Sequence, residues 1–219
     1  MRLGDSESVQ NPKGPLLGPL VIAGVVADES VLDRLKSMGV KDSKMLSPKR
    51  REELFEQVKS LVESYEIIIV PPQEIDDAIN SESLNLNWLE AIKTAMIINK
   101  LNAKKAYIDS PSTNLKAYAD YMRVYVKDKD VNLICEHKAD VNYVVVSAAS
   151  ILAKVTRDRE IGKLKEKYGD LGSGYPADPV TKEFLKNNWD KHPEIFRRTW
   201  ASYKVYSDRE KNSSLSSFK

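Results

Sequence analysis

Short apolar stretches rich in β-branched residues alternate with longer segments of helical periodicity, and this alternation constrains the fold more than any other feature of the chain. The apolar stretches predict strands at 16–27, 66–70, 105–108 and 131–136. The segments between them predict helices at 49–65, 84–101 and 143–168. Strands that alternate with helices indicate an α/β protein with a mixed β-sheet flanked by helices, in which ligands gather at strand ends.

The pattern changes after Gly172, where a turn-rich segment precedes short polar helices. We therefore expect a main domain over residues 1–170 and a small C-terminal helical region over residues 171–207. Residues 208–219 are rich in Ser and Lys and predict a disordered tail.

Charge and cysteine content restrict the class of protein. The 34 Lys and Arg residues nearly balance 32 Asp and Glu residues, so a site for a polyanion has to be a local patch, such as Lys49-Arg50-Arg51 or Arg197-Arg198. Each such cluster, taken alone, is more often a solvated surface. Cys135 is the single cysteine, and the N-terminus lacks the pattern of a secretory signal. We expect a cytoplasmic protein without a membrane span.

Asp109 and Asp140 are placed where a strand or its exit loop would present a side chain to a cleft. An aspartate in such a place is more often a helix cap or a turn residue than a catalyst. If both converge with Asp5 and Glu7, the carboxylates repel one another unless a divalent cation lies among them. Oxygen ligands of this kind suit Mg²⁺ or Mn²⁺, and two such ions about 4 Å apart favour hydrolysis of a phosphodiester.

Other chemistries lack support in the sequence. One cysteine and two histidines do not make an ordinary structural zinc site. The sequence also contains neither a phosphate-binding loop of the Gly-x-x-x-x-Gly-Lys type nor a Gly-x-Ser-x-Gly elbow.

Several consecutive stretches, in order and approximate spacing, resemble ribonuclease HII (type 2 ribonuclease H) of the archaeal type. The most specific is Glu136-His137-Lys138-Ala139-Asp140, which continues into residues 146–158. The other matching stretches are 14–25, 40–47, 84–90, 106–110 and 172–179. The resemblance implies a ribonuclease H-like mixed sheet flanked by helices, with a C-terminal helical extension, so that residues 1–170 would be the catalytic domain.

The resemblance also implies a role for individual residues. Asp109 and Asp140 match the third and fourth acids of the family's metal site, which holds Mg²⁺ or Mn²⁺. Tyr175 matches the tyrosine beside the ribose at the RNA-to-DNA junction, where the 2′-hydroxyl distinguishes RNA from DNA. Ser43 and Lys44 would meet the phosphate backbone, and Lys154 and Arg157 would add phosphate contacts. For Lys154, a role as an ordinary charge on the helix surface is equally favoured. For Arg157, an orienting salt bridge with Asp158 or Asp140 is equally favoured.

The segment before the first strand departs from the family. The family's Asp-Glu-x-Gly-Arg-Gly motif is replaced by residues 4–14, in which only Lys13-Gly14 resembles the glycine-arginine-glycine turn that binds nucleic acid. Aligned from the chain start, Glu7 takes the place of the second acid, and Asp5 replaces the first only if the strand bulges. Aligned backward from Gly14, no acid remains. An error in the sequence of this segment is a further hypothesis.

Three functions follow. The first is an endonuclease that hydrolyses the RNA strand of RNA–DNA hybrids by two-metal-ion catalysis, with Glu7, Asp109 and Asp140 as catalytic residues and Asp5 as an additional metal ligand, leaving 3′-hydroxyl and 5′-phosphate ends. The second is a catalytically impaired hybrid-binding protein, favoured by the altered first motif. The third, a DNA phosphodiesterase of the same fold, is disfavoured by Tyr175. We expect a monomer. A sliding-clamp partner stays open, because Leu215 and Phe218 among serines are too weak a pattern to indicate a clamp-binding peptide.

Overall fold

A computed structural model describes residues 14–40 and 46–216, with the side chains described as far as residue 209. The strands are β1 (Leu20–Val26), β2 (Ser64–Val70), β3 (Lys105–Asp109) and β4 (Asn132–Glu136). The helices are α1 (Glu29–Ser37), α2 (Pro48–Leu61), α3 (Pro72–Asn80), α4 (Leu86–Leu101), α5 (Leu115–Tyr125), α6 (Ala139–Asn142), α7 (Val144–Tyr168), α8 (Pro179–Asn188) and α9 (Ala201–Ser216). Each predicted strand and helix is present, although β1 begins at Leu20 and not at residue 16, and α2 ends at Leu61 and not at residue 65. The α/β class is confirmed.

Local sequence explains several helix boundaries. The Ser47 hydroxyl accepts a hydrogen bond from the backbone N–H of Arg50 at 3.2 Å, and Pro48 occupies the first helical position of α2. Asn114 caps α5 and Asp178 caps α8 in the same way. The helices α1, α3 and α5 were not predicted. The last helix, α9, continues through residues 208–216, which the sequence assigns to the tail.

The described residues divide into two compact units, each made of separate stretches of the chain. The first unit comprises residues 21–69, apart from 41–45, and residues 87–157. The second unit comprises residues 14–20, 70–86 and 158–216. These units follow contacts rather than chain order, and the division at residue 171 stays a prediction.

The core of the first unit contains β1, α1, α2 and the start of α7. Leu35, Leu54, Val58, Ile151 and Leu152 are fully buried in it. Apart from its last residue, β1 is buried on both faces, which explains why its sequence is continuously apolar. In the same unit β1 pairs with β2, and β3 pairs with β4 in parallel.

The second unit is held by buried polar groups as well as by aromatic packing. Arg197, only 2% exposed, donates to the carbonyl oxygens of Gly18 and Pro19, and its guanidinium lies over the ring of Trp200. Arg198 pairs with the buried carboxylate of Asp76. The Arg197-Arg198 cluster therefore stabilises the fold, and it is neither the solvated surface expected for such a cluster nor a free basic patch.

The described residues contain no helix that combines the length and the apolar character of a membrane span.

Candidate active site

Asp109 is the last residue of β3, at the carboxyl end of the strand. Alternation along the strand buries Ala106 and Ile108 and leaves Lys105, Tyr107 and Asp109 on the opposite, more exposed face. The parallel register with β4 pairs Asp109 with Glu136, which ends that strand. Both strand ends therefore present an acidic residue at the same edge.

Asp140 reaches this edge through the turn that follows β4. The backbone N–H of Ala139 donates a hydrogen bond to Asp109 Oδ1 at 3.1 Å, so the residue next to Asp140 is hydrogen-bonded to Asp109. Asp140 is 5% exposed and lies in the short helix α6. The Ser147 hydroxyl on α7 donates to the carbonyl oxygen of Asp140. The structure thus brings together the two aspartates that the sequence analysis singled out.

The chemistry of these donors suits a hard divalent cation, because carboxylate oxygens are the ligands that Mg²⁺ and Mn²⁺ prefer. Residues 14–40 and 46–216 contain no group of three Asp, Glu, His or Cys side chains arranged to hold a metal ion. A metal site at this edge stays a prediction, and Asp109 and Asp140 are the predicted ligands that the structure describes. The remaining predicted ligands, Asp5 and Glu7, lie outside the described residues.

A second group of side chains in the first unit is buried and polar. Glu90 on α4 and Tyr118 on α5 are both fully buried. Burial raises the pKa of the Tyr118 phenol well above its ordinary value, and the negative charges of Glu90 and Asp109 raise it further, while a hydrogen bond with Thr94 opposes them. Burial likewise raises the pKa of the Cys135 thiol to about 11, so this thiol is protonated at neutral pH.

Two residues beside the aspartates were not assigned to the site by the sequence analysis. The Tyr143 hydroxyl donates to Glu136 Oε1 at 2.7 Å, and the amide of Asn142 donates to Glu136 Oε2 at 3.3 Å. The sequence signals for Glu136 are its position at a strand end and at the start of the stretch that most resembles the family, whereas Tyr143 reads locally as an ordinary residue before a helix.

The basic residues expected on α7 are half-buried. Lys154 and Arg157 are three residues apart, which places them on neighbouring positions of one helix face. Their contacts with phosphate stay a prediction. The predicted contacts from Lys13, Ser43 and Lys44 lie outside the described residues.

Tyr175 belongs to the second unit, in a loop that its own backbone and polar side chains fix. The carboxylate of Asp178 accepts from the backbone N–H of Ser173 at 2.6 Å, and the backbone N–H of Asp178 donates to the carbonyl oxygen of Tyr175 at 3.1 Å. The N–H of Gly174 donates to the Thr181 hydroxyl at 3.0 Å. Tyr175 is half-exposed at the end of this loop.

The chain that follows the altered first motif is bonded to the same loop. The backbone N–H groups of Leu16 and Leu17 donate to the carbonyl oxygen of Gly174 at 2.7 and 3.1 Å. Gly14, predicted to bind nucleic acid, is the first described residue, is buried and lies two residues before this contact. The second unit therefore holds both the start of the described chain and Tyr175.

An α/β fold with aspartates at and beside a strand end is compatible with a hydrolase that acts on phosphodiesters with bound metal ions. The family model described as "Ribonuclease HII" matches residues 12–203. A ribonuclease HII of Pyrococcus horikoshii is 45% identical over 208 residues, which cover 93% of this chain and 92% of that relative.

Two solved structures support the same family. The crystal structure of the ribonuclease H2 from Pyrococcus horikoshii OT3 matches with a TM-score of 0.82 and 43% identity, over 95% of this chain and 97% of that one. The ribonuclease HII of Archaeoglobus fulgidus, solved as a complex with PCNA, matches with a TM-score of 0.76 and 39% identity over 94% of each chain. The chain belongs to the ribonuclease HII family and is a ribonuclease H-type enzyme. The resemblance found in the sequence is confirmed.

Proposed function

We propose that this protein cuts the RNA strand of RNA–DNA hybrids by two-metal-ion hydrolysis, leaving 3′-hydroxyl and 5′-phosphate ends. The observation that carries the proposal is the hydrogen bond between Ala139 N–H and Asp109 Oδ1, because it brings Asp140 to the strand end that bears Asp109. Membership of the ribonuclease HII family supports the choice of substrate.

Asp109 and Asp140 would hold Mg²⁺ or Mn²⁺ together with acids from the N-terminal segment. Glu7 is our first choice among these acids, and Asp5 is the second. Metal ions bound by such carboxylates supply an activated water and neutralise charge on the leaving oxygen. The protein's own part would be to hold the carboxylates at fixed positions, and the placement of Asp109 at the end of β3 and of Asp140 in α6, just after β4, supports this role.

We propose that two sets of residues recognise the hybrid. Tyr175 would lie against the ribose at the junction, with the backbone of Lys13 and Gly14 near the 2′-hydroxyl. The phosphate backbone would be met by Ser43, Lys44, Lys154 and Arg157, whose cations make affinity dependent on salt. The fixed loop around Tyr175 supports the first assignment, because a rigid aromatic side chain is suited to select one sugar geometry.

Cleavage of an end-labelled RNA–DNA hybrid with Mg²⁺ or Mn²⁺ tests the function directly. The unmodified protein is compared with Asp109→Asn, Glu7→Gln and Asp5→Asn, and with Asp128→Asn as a control on an exposed acid that pairs with Lys104. Loss of cleavage in Asp109→Asn and Glu7→Gln alone would assign Glu7 to the metal site. Loss in Asp5→Asn instead would assign Asp5.

The alternative function is a hybrid-binding protein whose catalytic centre failed in the N-terminal segment. It predicts that the unmodified protein binds the hybrid and does not cleave it with either metal ion. Cleavage of an all-DNA duplex at the rate of the hybrid would instead favour the DNA phosphodiesterase. Cleavage restricted to the RNA strand contradicts both alternatives.

A sliding clamp is the first protein partner to test, because the Archaeoglobus fulgidus relative was solved in complex with PCNA. We propose a weak contact through the C-terminal residues that include Leu215 and Phe218. Co-elution of the full chain with a clamp, lost when residues 213–219 are removed, would support the contact. Co-elution that survives the truncation would place it elsewhere.

A further inference from the structure

The turn between β4 and α7 is closed by side chains at its two ends. Glu136 ends β4, and both of its carboxylate oxygens accept hydrogen bonds from the far end of the turn, one from Tyr143 and one from Asn142. The bond from the Tyr143 hydroxyl is 2.7 Å long, as expected when a charged acceptor shortens it. These two hydrogen bonds therefore connect the two ends of the loop, and we call the pair of bonds the tie.

The hydrogen bond that links the turn to Asp109 starts inside this loop. Ala139, whose N–H bonds Asp109, and Asp140 itself are both within it. Lys138, just before them, has a φ of 55°, a left-handed conformation that costs a residue with a side chain about 1 kcal/mol or more. A conformation of this kind persists when surrounding contacts hold it.

Glu136, which accepts both hydrogen bonds of the tie, is itself held to the strand that carries Asp109. Glu136 pairs with Asp109 in the parallel register, and its carbonyl oxygen accepts from the N–H of Ser110 at 2.9 Å. A hydrogen bond to the Glu136 side chain is thus a bond to the β3–β4 pair at the level of Asp109.

The Tyr143 ring is also supported from the strand. It packs against the ring of Tyr107 with centroids 4.1 Å apart, and Lys105 Nζ lies 4.9 Å from the Tyr107 centroid. The Glu136 carboxylate that accepts its hydrogen bond raises the pKa of the Tyr143 phenol, so the phenol is a hydrogen donor at neutral pH. The packing of its ring on Tyr107 and the hydrogen bond from its hydroxyl to Glu136 therefore both hold Tyr143 in place.

We propose that Tyr143 and Glu136 are positioning residues, which fix the spacing between the Asp109 and Asp140 carboxylates before a metal ion binds. The inference rests on the proposed function, since it assumes that these aspartates bind metal. Two carboxylates held close together repel each other in the absence of a cation. A tie that does not involve the cation keeps the ligands near their bound geometry, and loss of such supporting contacts weakens metal affinity by about tenfold or more.

Tyr143→Phe tests the tie, because it removes the hydroxyl and keeps the ring on Tyr107. The matched control is Tyr125→Phe, which removes an exposed hydroxyl that bonds the Tyr121 hydroxyl at 3.2 Å in the same unit. Mn²⁺ binding to the free protein is measured by calorimetry, with Asp109→Asn to identify the site. Melting temperature and hybrid affinity in EDTA are measured alongside.

We expect Tyr143→Phe to weaken Mn²⁺ binding by about tenfold and to raise the Mn²⁺ concentration for half-maximal cleavage similarly. Its melting temperature and metal-free hybrid affinity should stay within the range of the control. Glu136→Gln keeps one acceptor oxygen and should weaken Mn²⁺ binding less than Glu136→Ala. Adding Tyr143→Phe to Glu136→Ala should have little further effect, because the two residues act as one contact.

Mn²⁺ binding by Tyr143→Phe equal to that of the unmodified protein would overturn the inference, as would an equal loss in Tyr125→Phe. The proposed function would stand in both cases if the unmodified protein cleaves the hybrid. Absence of Mn²⁺ binding and of cleavage in the unmodified protein would instead refute the proposed function, and the inference with it.

Discussion

Aspartates serve different purposes in the two units of this protein. In the second unit Asp76 is 1% exposed and accepts four hydrogen bonds from Arg198 and Thr199, two from backbone N–H groups and two from side chains. In the first unit Asp109 and Asp140 are placed at a strand end and in the turn beside it. The surroundings of an aspartate, and not its residue type, therefore separate one that stabilises the fold from one that we propose as a metal ligand.

The largest expected effect concerns activity in the first unit. Asp109→Asn should lower the rate of hybrid cleavage by about three orders of magnitude, equal to about 4 kcal/mol, because a metal ligand is lost. Its unfolding midpoint should change little, since asparagine keeps an oxygen for the N–H of Ala139. Single-turnover cleavage and urea unfolding of the same preparation check both parts. A large loss of stability would place Asp109 among the structural aspartates.

Asp76→Ala should have the opposite profile. It leaves the Arg198 guanidinium and two backbone N–H groups without their acceptor, which is expected to lower the free energy of unfolding by about 3–5 kcal/mol. Urea unfolding followed by circular dichroism measures the change. Asp33→Ala, which removes an exposed partner of Lys36, is the control and should change stability far less. Equal losses of stability in Asp76→Ala and Asp33→Ala would contradict a structural role for Asp76.

The loop that carries Tyr175 permits a sharper test. Gly172 and Gly169 both have positive φ, at 70° and 85°. A Cβ at Gly172 would meet Asp178 Oδ2 at 2.6 Å and Thr181 N at 2.8 Å, whereas nothing lies within 4 Å of a Cβ at Gly169. Gly169→Ala should therefore cost about 1 kcal/mol of stability from backbone strain, and Gly172→Ala about 3 kcal/mol from strain and overpacking together.

The two glycine variants also bear on recognition. If the loop positions Tyr175 for the hybrid, Gly172→Ala should weaken hybrid binding in EDTA and Gly169→Ala should not. Equal hybrid affinity of both variants would separate the loop geometry from recognition.

The smallest effect depends on pH. Hydrogen bonds from Ser173, above all from its backbone N–H, lower the pKa of Asp178 below its ordinary value, to about 2. A lowered pKa in the folded state adds stability above the unfolded value, and this stability is lost as the pH falls through about 2. Asp178→Asn should thus be less stable than the unmodified protein at pH 7. The difference should shrink below about pH 4, which urea midpoints across this range measure. A constant difference would contradict the role of the charge.

Much of the fold was predictable from local sequence. The strand β2 is short and rich in β-branched residues, and β3 and β4 are short stretches with an apolar centre. The cap at Ser47 with Pro48 marks the start of α2 without reference to the rest of the chain. The helices α1 and α3 escaped prediction because each is a single short amphipathic segment of nine residues. For β1 the prediction extended too far, to residue 16, since Leu16 and Leu17 are buried and apolar without being part of the strand.

The sequence by itself determined that Asp109 ends a strand and that Asp140 follows another, because strand periodicity and turn residues are local signals. Only the tertiary structure decided that Ala139 bonds Asp109, that Tyr143 reaches back to Glu136, and that Asp76 belongs to Arg198 and Thr199, more than a hundred residues away. These contacts depend on parallel strand register and on the packing of distant segments. Spacing along the chain carries no record of either.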